Sequence, residues 1–321
     1  MQPEQDEGAA PQNIAMWGAA GCGKTTFLAA LDIALTQVDG DWKVVGADGG
    51  STEVLTDLTR SLADRRQFPR ATGEAIERYK WYLIGRRQVR TGRFPRRRTV
   101  MRENRIGLDL IDAGGEQFER GRVIGRRLLD NLVQSRGILY LFDPIREYER
   151  GDAFENLHGM LAQLSQRMLA AGEFVEGRLP HHLAVCVTKF DEVSVLKTAD
   201  NIGVLGVDPD DPRGFPRVLE DEDAERLFES LCGVSASGNA ELVLRKLKKF
   251  FLEDRIRFFV TSAIGFHLPP GTNRFDPRDY QNLVPAPGSP TGYQIRSGVR
   301  PINVMEPLLW LAQSLSADRQ G

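Results

Sequence analysis

Short, nearly continuous apolar runs recur along this chain, separated by stretches in which apolar residues return at helical spacing. Asn13 to Trp17, Trp42 to Asp48, Gly137 to Asp143, His181 to Asp191 and Arg257 to Thr261 read as strands. Two longer strand patterns, Tyr79–Val89 and Thr99–Asp112, are joined by the arginine-rich TGRFPRRR. Helical spacing runs from Lys24 to about Thr36, then over Ser51–Arg66 with Ser51 as the cap. It returns over Glu116–Val133, Asp152–Ala171, Glu241–Phe250 and Met305–Ser316. FPRATG (Phe68–Gly73), an irregular acidic stretch (Val193–Glu225) and a Pro/Gly-rich stretch (Gly265–Arg300) read as loops. Apolar strands alternating with helices predict an α/β protein whose mostly parallel sheet is covered on both faces. No internal repeat is visible, and no linker separates two cores. The expectation is a disordered tail over 1–12 and a single domain over 13–318, with insertions at about 40–75, 192–250 and 265–300.

The 321 residues are 41% hydrophobic and 27% charged, as in an ordinary globular protein. A net charge of −2 gives no overall bias toward nucleic acid or anionic membrane. Cys22, Cys186 and Cys232 lack the spacing of a disulfide framework or zinc site, which fits a reducing cytoplasm. The first twelve residues have no apolar core, so no signal peptide is expected there. No apolar run approaches the roughly 20 residues needed to span a bilayer, and the chain ends match no lipidation signal.

Chemistry enters at Gly18–Thr25, GAAGCGKT, which matches the G-x-x-x-x-G-K-[ST] phosphate loop between a strand and a helix. Glycines let the backbone curl until successive N–H groups point at a phosphate. Gly18, Ala20, Gly21, Cys22, Gly23, Lys24, Thr25 and Thr26 are therefore the candidate phosphate-binding residues. Lys24 would serve the β- and γ-phosphates, and the Thr25 hydroxyl would ligate Mg²⁺. Further on, Leu108–Glu116 reads LDLIDAGGE, the D-x-x-G pattern of GTPases, with Asp112 as a metal ligand and Gly115 beside the γ-phosphate. A competing metal carboxylate is Asp143, at the end of ILYLFD. Asp112 is preferred because a glycine follows it in register, and Asp143 is then a cap.

Thr188–Asp191, TKFD, closes another apolar strand and fits the [N/T]-K-x-D guanine motif. A carboxylate at Asp191 would accept both N1–H and N2–H₂ of guanine, a pair adenine does not offer. The Lys189 stem would pack along the purine. Leaving such a carboxylate unpaired is costly, and that cost makes the selection. Ser262 and Ala263, in TSA at the end of the last strand, fit a backbone contact to guanine O6.

The ordered set GAAGCGKT, DAGG, TKFD and TSA resembles the Ras-like P-loop GTPase superfamily. The insertions, FPRAT and the closing PINVMEPLLWL look similar to bacterial double-GTPase families of conflict and signalling operons. The resemblance implies a Ras-like fold of about six strands, Mg²⁺ and GTP/GDP as ligands, and switch loops that order around the γ-phosphate. It also implies an unidentified protein effector or regulator.

Departures matter as much as matches. A switch threonine ligating Mg²⁺ is sought among Thr72, Thr91 and Thr99, with Thr72 preferred. The residue after the D-x-x-G glycine is Glu116, with Gln117 following, and either would position the attacking water. Ala20 stands where many relatives have glycine, and its methyl crowds the approach of an external arginine. Slow hydrolysis is therefore expected, with a non-hydrolysing GTP-binding scaffold as the alternative. Cys22 is either an acidified thiol at a helix start or an inert small residue. Finally, Arg86–Arg105 holds nine arginines against one acid, Glu103. Such density predicts either a solvated hairpin or an anionic partner: lipid, nucleic acid or the chain's own Asp208–Glu225.

Overall fold

The computed structural model describes residues 13–69, 77–91, 98–112, 122–236, 238, 241–289 and 292–318. One seven-stranded sheet organises them, in the order β2 (Lys43–Gly46), β3 (Glu77–Thr91), β4 (Arg98–Asp112), β1 (Asn13–Gly18), β5 (Gly137–Phe142), β6 (His182–Val187), β9 (Ile256–Val260). From β4 to β9 every pairing is parallel, as helical crossovers require. β3 runs antiparallel to both neighbours because it forms a hairpin with β4 and hands an edge to β2. The sheet thus has seven strands rather than the expected six, and is mixed at one edge.

Alternation along the strands sorts side chains onto two faces. Ile14, Met16, Leu139, Leu141, Ala184 and Cys186 pack under α1 (Lys24–Gln37), α2 (Gly49–Ala63) and the closing α9 (Glu306–Asp318). Ala15, Trp17, Ile138, Tyr140, Phe142, Leu183, Val185 and Val187 face the other way. They pack under α3 (Arg122–Gln134), α5 (Ala153–Ala170), α6 (Val193–Asn201), α7 (Asp221–Gly233) and α8 (Glu241–Phe250). Each fully buried Leu or Ile contributes about 1.5–3 kcal/mol.

Several elements differ from the sequence reading. The cap of α2 is Asp48, whose side chain accepts from the Ser51 N–H at 2.7 Å. Ser51 is instead buried, its hydroxyl accepting from Lys80 N–H and its carbonyl from the Trp81 indole. Val193–Glu225 is not irregular: it holds α6, the two-residue strands β7 (Gly206–Val207) and β8 (Pro216–Arg217), and the start of α7. Asp221, Glu222 and Asp223 fill the first turn of α7, where the helix dipole favours them. A short helix, α4 (Pro144–Arg150), also precedes α5 and was not foreseen. Within 265–300 lies a small hairpin, β10 (Leu283–Pro285) with β11 (Tyr293–Ile295).

β3 and β4 pair along their whole length, from Glu77↔Asp112 to Thr91↔Arg98. β2 reaches only to Ile84, and β1 only to Gly107. Beyond those points the hairpin continues as a two-stranded ribbon for roughly 24 Å at 3.4 Å per residue. The acidic insertion is not its partner. Asp211 pairs with Arg213 and Arg217, Asp221 with Arg257, Asp223 with Arg226 and Glu225 with Lys248. α7 moreover packs on β9, at the opposite edge of the sheet.

Candidate functional site

β1 and its neighbours deliver the motif residues to one end of the sheet. Gly18 closes β1, and the loop after it enters α1 at Lys24. Gly21 and Gly23 sit at φ 75° and 95°, a region an L side chain adopts only with strain. A Cβ at either would meet nothing within 4 Å, so backbone conformation and not crowding calls for glycine there. Lys24 is buried, and its ammonium donates to the Gly18 and Ala19 carbonyls at 3.2 and 3.1 Å. Thr25 and Thr26 follow in the first turn of α1, both partly buried.

Cys22 is 1% exposed, and burial pushes its thiol upward despite Lys24 nearby. The acidified-thiol alternative is therefore set aside; Cys22 packs as a small apolar residue in the cluster beneath α1.

The β1–β4 register ends at Met16↔Leu110, two residues before Gly18 closes β1 and Asp112 closes β4. Of Asp112 the structure describes the backbone alone, at the end of β4. Thr72, Gly115, Glu116 and Gln117 lie outside the described residues. Two candidate switch threonines are excluded by topology. Thr91 faces Arg98 and Thr99 faces Arg90, at the far end of the ribbon. That is roughly 40 Å of strand from Asp112.

The Thr188–Asp191 segment is more fully determined. Thr188, at the end of β6, donates both its N–H (2.9 Å) and its hydroxyl (3.0 Å) to the Phe142 carbonyl on β5. Phe190 is fully buried, and its N–H reaches the Thr261 carbonyl at 3.1 Å. Between these anchors Lys189 adopts φ 59°, a left-handed conformation uncommon outside glycine. Its ammonium lies 2.7 Å from the carboxylate of Asp143. Asp143 is spent on structure: it caps α4 by accepting from Ile145 and Arg146 N–H at 3.1 and 3.2 Å while holding Lys189.

Asp191 is partly buried and accepts the Ser262 hydroxyl. Burial raises its carboxyl to about 6, with the Ser262 hydrogen bond opposing the rise and nearby Glu192 adding to it. Ser262 is in turn fixed three ways. Its N–H and carbonyl bridge Ile302, at 3.0 and 2.8 Å. Its hydroxyl oxygen accepts from Gly265 N–H at 2.8 Å. Gly265 is at φ 64°, and a Cβ there would lie 1.9 Å from the Arg300 carbonyl oxygen, so the turn presenting Ser262 and Ala263 admits only glycine.

A cavity of about 500 Å³ lies against the phosphate loop, between α3 and α5. Ala20, Leu129, Tyr140, Arg146 and Met160 line it, while Lys24, Lys189, Asp191 and Ser262 do not. Asp143, which holds Lys189, also lines it. Sequence reasoning missed Arg146, which donates to the Ala20 carbonyl at 2.9 Å. No local motif marks it, since the two residues are far apart in sequence.

No protein-family model matches this sequence, and no curated protein matches it. Solved structures do. A signal recognition particle receptor SRb-GTP/SRX complex from Chaetomium thermophilum is 13% identical, at a TM-score of 0.38. The match covers 82% of this chain and 94% of that one. Sup35 complexed with GDP is 12% identical over 82% of this chain and 40% of its own, at a TM-score of 0.30. A bacterial selenocysteine-specific elongation factor, EF-Sec, is 13% identical over 80% and 26%, at a TM-score of 0.29. At such identities and scores, the functional reading rests on the site itself.

Proposed function

We propose that this chain binds guanine nucleotide and acts as a slow GTPase that switches a partner protein. One observation carries the reading. A carboxylate at Asp191, held by Ser262 and raised by burial, stands just after β6, and β5 alone separates β6 from β1, the strand that leads into the lysine-bearing loop. A carboxylate so placed favours a ligand with two adjacent N–H donors, and the loop amides favour its phosphates.

The residues fit magnesium as well as nucleotide. Thr25 and Asp112 are hard oxygen donors at adjacent strand and helix ends, the chemistry Mg²⁺ prefers. Thr72 is proposed as the third protein ligand. When bound, the ion neutralises charge on the β- and γ-phosphate oxygens. In the reaction proposed, water attacks the γ-phosphorus, the bond from that phosphorus to the bridging oxygen breaks, and GDP and phosphate leave. Lys24 and the loop amides, with Gly115, stabilise the charge, while Glu116 or Gln117 positions the water. Turnover on the order of 10⁻³ s⁻¹ or below is expected of an unassisted switch.

The ribbon fits a second role. Its register sets Arg87 opposite Arg102, and the Arg86–Arg105 segment carries nine arginines against one acid. The reading assigns the ribbon an anionic partner surface. Among the described residues no helix is long and apolar enough to cross a membrane.

The test is competition for fluorescent GDP, followed by single-turnover hydrolysis. GTP should displace the probe and ATP should not. Displacement without phosphate release would leave the non-hydrolysing scaffold; equal displacement by ATP would overturn the guanine reading.

A further inference from the structure

We propose that Arg146 is a positioning residue of the phosphate loop, which aims the peptide between Ala20 and Gly21 at the nucleotide; this rests on the nucleotide-binding reading above. The guanidinium is only partly exposed, with a side-chain exposure of 15%. Asp152 takes two of its nitrogens, Nε at 3.0 Å and Nη2 more closely. That fork already completes an ion pair. The remaining nitrogen, Nη1, reaches across 126 residues of sequence to the Ala20 carbonyl at 2.9 Å.

The peptide bond is planar and trans, so a C=O and the following N–H point in opposite directions. Holding the Ala20 oxygen toward Arg146 therefore turns the Gly21 N–H away from it, across the loop. That orientation is not self-maintaining. Gly21 sits at φ 75°, and glycine passes between positive and negative φ at little cost, so this peptide can flip unless something grips it. Arg146 is that grip.

The grip itself stands on a rigid base. Arg146 lies on α4, whose first turn is capped by Asp143, and the Arg146 N–H is one of the two that Asp143 accepts. The adjacent Glu147 is 1% exposed; its carboxylate accepts from Ala153 N–H at 2.8 Å and from the Ser235 hydroxyl. That pins the turn between α4 and α5. Because Asp143 also holds Lys189, the one short helix ties the base-reading segment to the phosphate loop.

The experiment is stopped-flow release of fluorescent GDP from the full chain, with wild type, Arg146→Ala, Arg146→Gln, Arg146→Lys and Asp152→Asn, each checked for folding by circular dichroism. Absence of binding by wild type would sink the guanine reading and not reach this proposal. Given binding, Arg146→Ala should release GDP ~10- to 100-fold faster, the effect of losing one charge-assisted hydrogen bond to phosphate. Arg146→Gln keeps part of the aliphatic stem and a polar end without the charge or the fork and should behave alike, which covers an alanine variant that fails to fold. Arg146→Lys should not rescue, because one ammonium cannot serve both Asp152 and Ala20 in the fork's geometry. Millimolar guanidinium should slow release again in Arg146→Ala, entering by the adjoining cavity. Release at the wild-type rate in folded Arg146→Ala or Arg146→Gln would overturn the proposal, and so would full rescue by lysine.

Discussion

Replacing Asp191 with asparagine should make the nucleotide-free protein more stable while removing its preference for guanine. The carboxyl sits at about 6 when folded against an ordinary 3.8. Because the folded value is the higher one, the native state holds its proton where the unfolded chain has released it. Stability is therefore lost as pH rises from below 3.8 through about 6. The gap is worth ~3 kcal/mol at neutral pH. Partial exposure of Asp191 screens some of this, leaving about 1–3 kcal/mol. Asparagine does not ionise, and its amide oxygen keeps the hydrogen bond from Ser262.

Thermal unfolding of nucleotide-free wild type and Asp191→Asn is the assay. At pH 7 the variant should melt about 2–5 °C higher for a chain of this size. At pH 5 the gain should shrink to roughly half, since wild-type Asp191 is then mostly protonated when folded. The same variant should lose GDP and favour a xanthine nucleotide, whose base has an additional carbonyl oxygen to accept from the amide. In wild type, GDP affinity should fall as pH drops below about 6, because a protonated Asp191 cannot accept both base donors. A variant no more stable at pH 7, or a gain that does not change with pH, would refute the account of Asp191 as a destabilised carboxylate.

Other expectations follow from the same geometry. Lys24→Ala should lower GTP affinity at least ~100-fold, as two contacts of a charged group vanish, with the circular dichroism spectrum retained. Gly265→Ala should destabilise by ~2–4 kcal/mol in a denaturant titration, the sum of left-handed strain and a collision with the Arg300 carbonyl. Replacing Arg87 and Arg102 together by glutamate should abolish cosedimentation with anionic vesicles or nucleic acid; wild-type binding should weaken steeply with salt. Glu116→Gln should hydrolyse GTP in a single turnover as fast as wild type or faster, since a carboxylate adds negative charge beside the γ-phosphate; a large loss would make Glu116 catalytic.

The strands were legible because burial on both faces writes itself into composition: GILYLF and HLAVCV have no polar residue facing water to break the run. The loop at Gly18–Thr25 was legible because its left-handed backbone at Gly21 and Gly23 demands glycine locally, at spacings that a motif records. What stayed hidden depends on distant pairs. Ser51 resembled a cap, yet the capping oxygen came from Asp48 because Ser51 is drawn into the core by Trp81. α7 was obscured by acidic residues that read as loop, although Asp221 and Glu225 are answered by Arg257 and Lys248 on other elements. Asp143 was read as a cap, and is one, but its tie to Lys189 could not be seen from either segment. The narrower resemblance to bacterial double GTPases gains no support from the structural matches.

Two local rules give way together at the Thr188–Asp191 end of the sheet. Lys189 holds a left-handed backbone that costs of order 1–3 kcal/mol in a non-glycine residue. Two residues later Asp191 keeps a carboxylate where burial opposes its charge. Neither helps the empty protein fold. Both become favourable only with a ligand that gives the carboxylate two N–H donors and gives the lysine stem an aromatic face to lie along. The rigidity around them has the same sense: Thr188 and Phe190 are each tied to a neighbouring strand, and Ser262 is tied to Ile302 and Gly265. A segment strained in itself yet fixed on both sides cannot relax when empty, so the strain is available to ligand binding instead of being lost to rearrangement. Nucleotide should therefore stabilise this protein by more than mass action on an unstrained site of equal contacts. The excess should diminish in Asp191→Asn and in Lys189→Gly, which remove the two sources of strain separately.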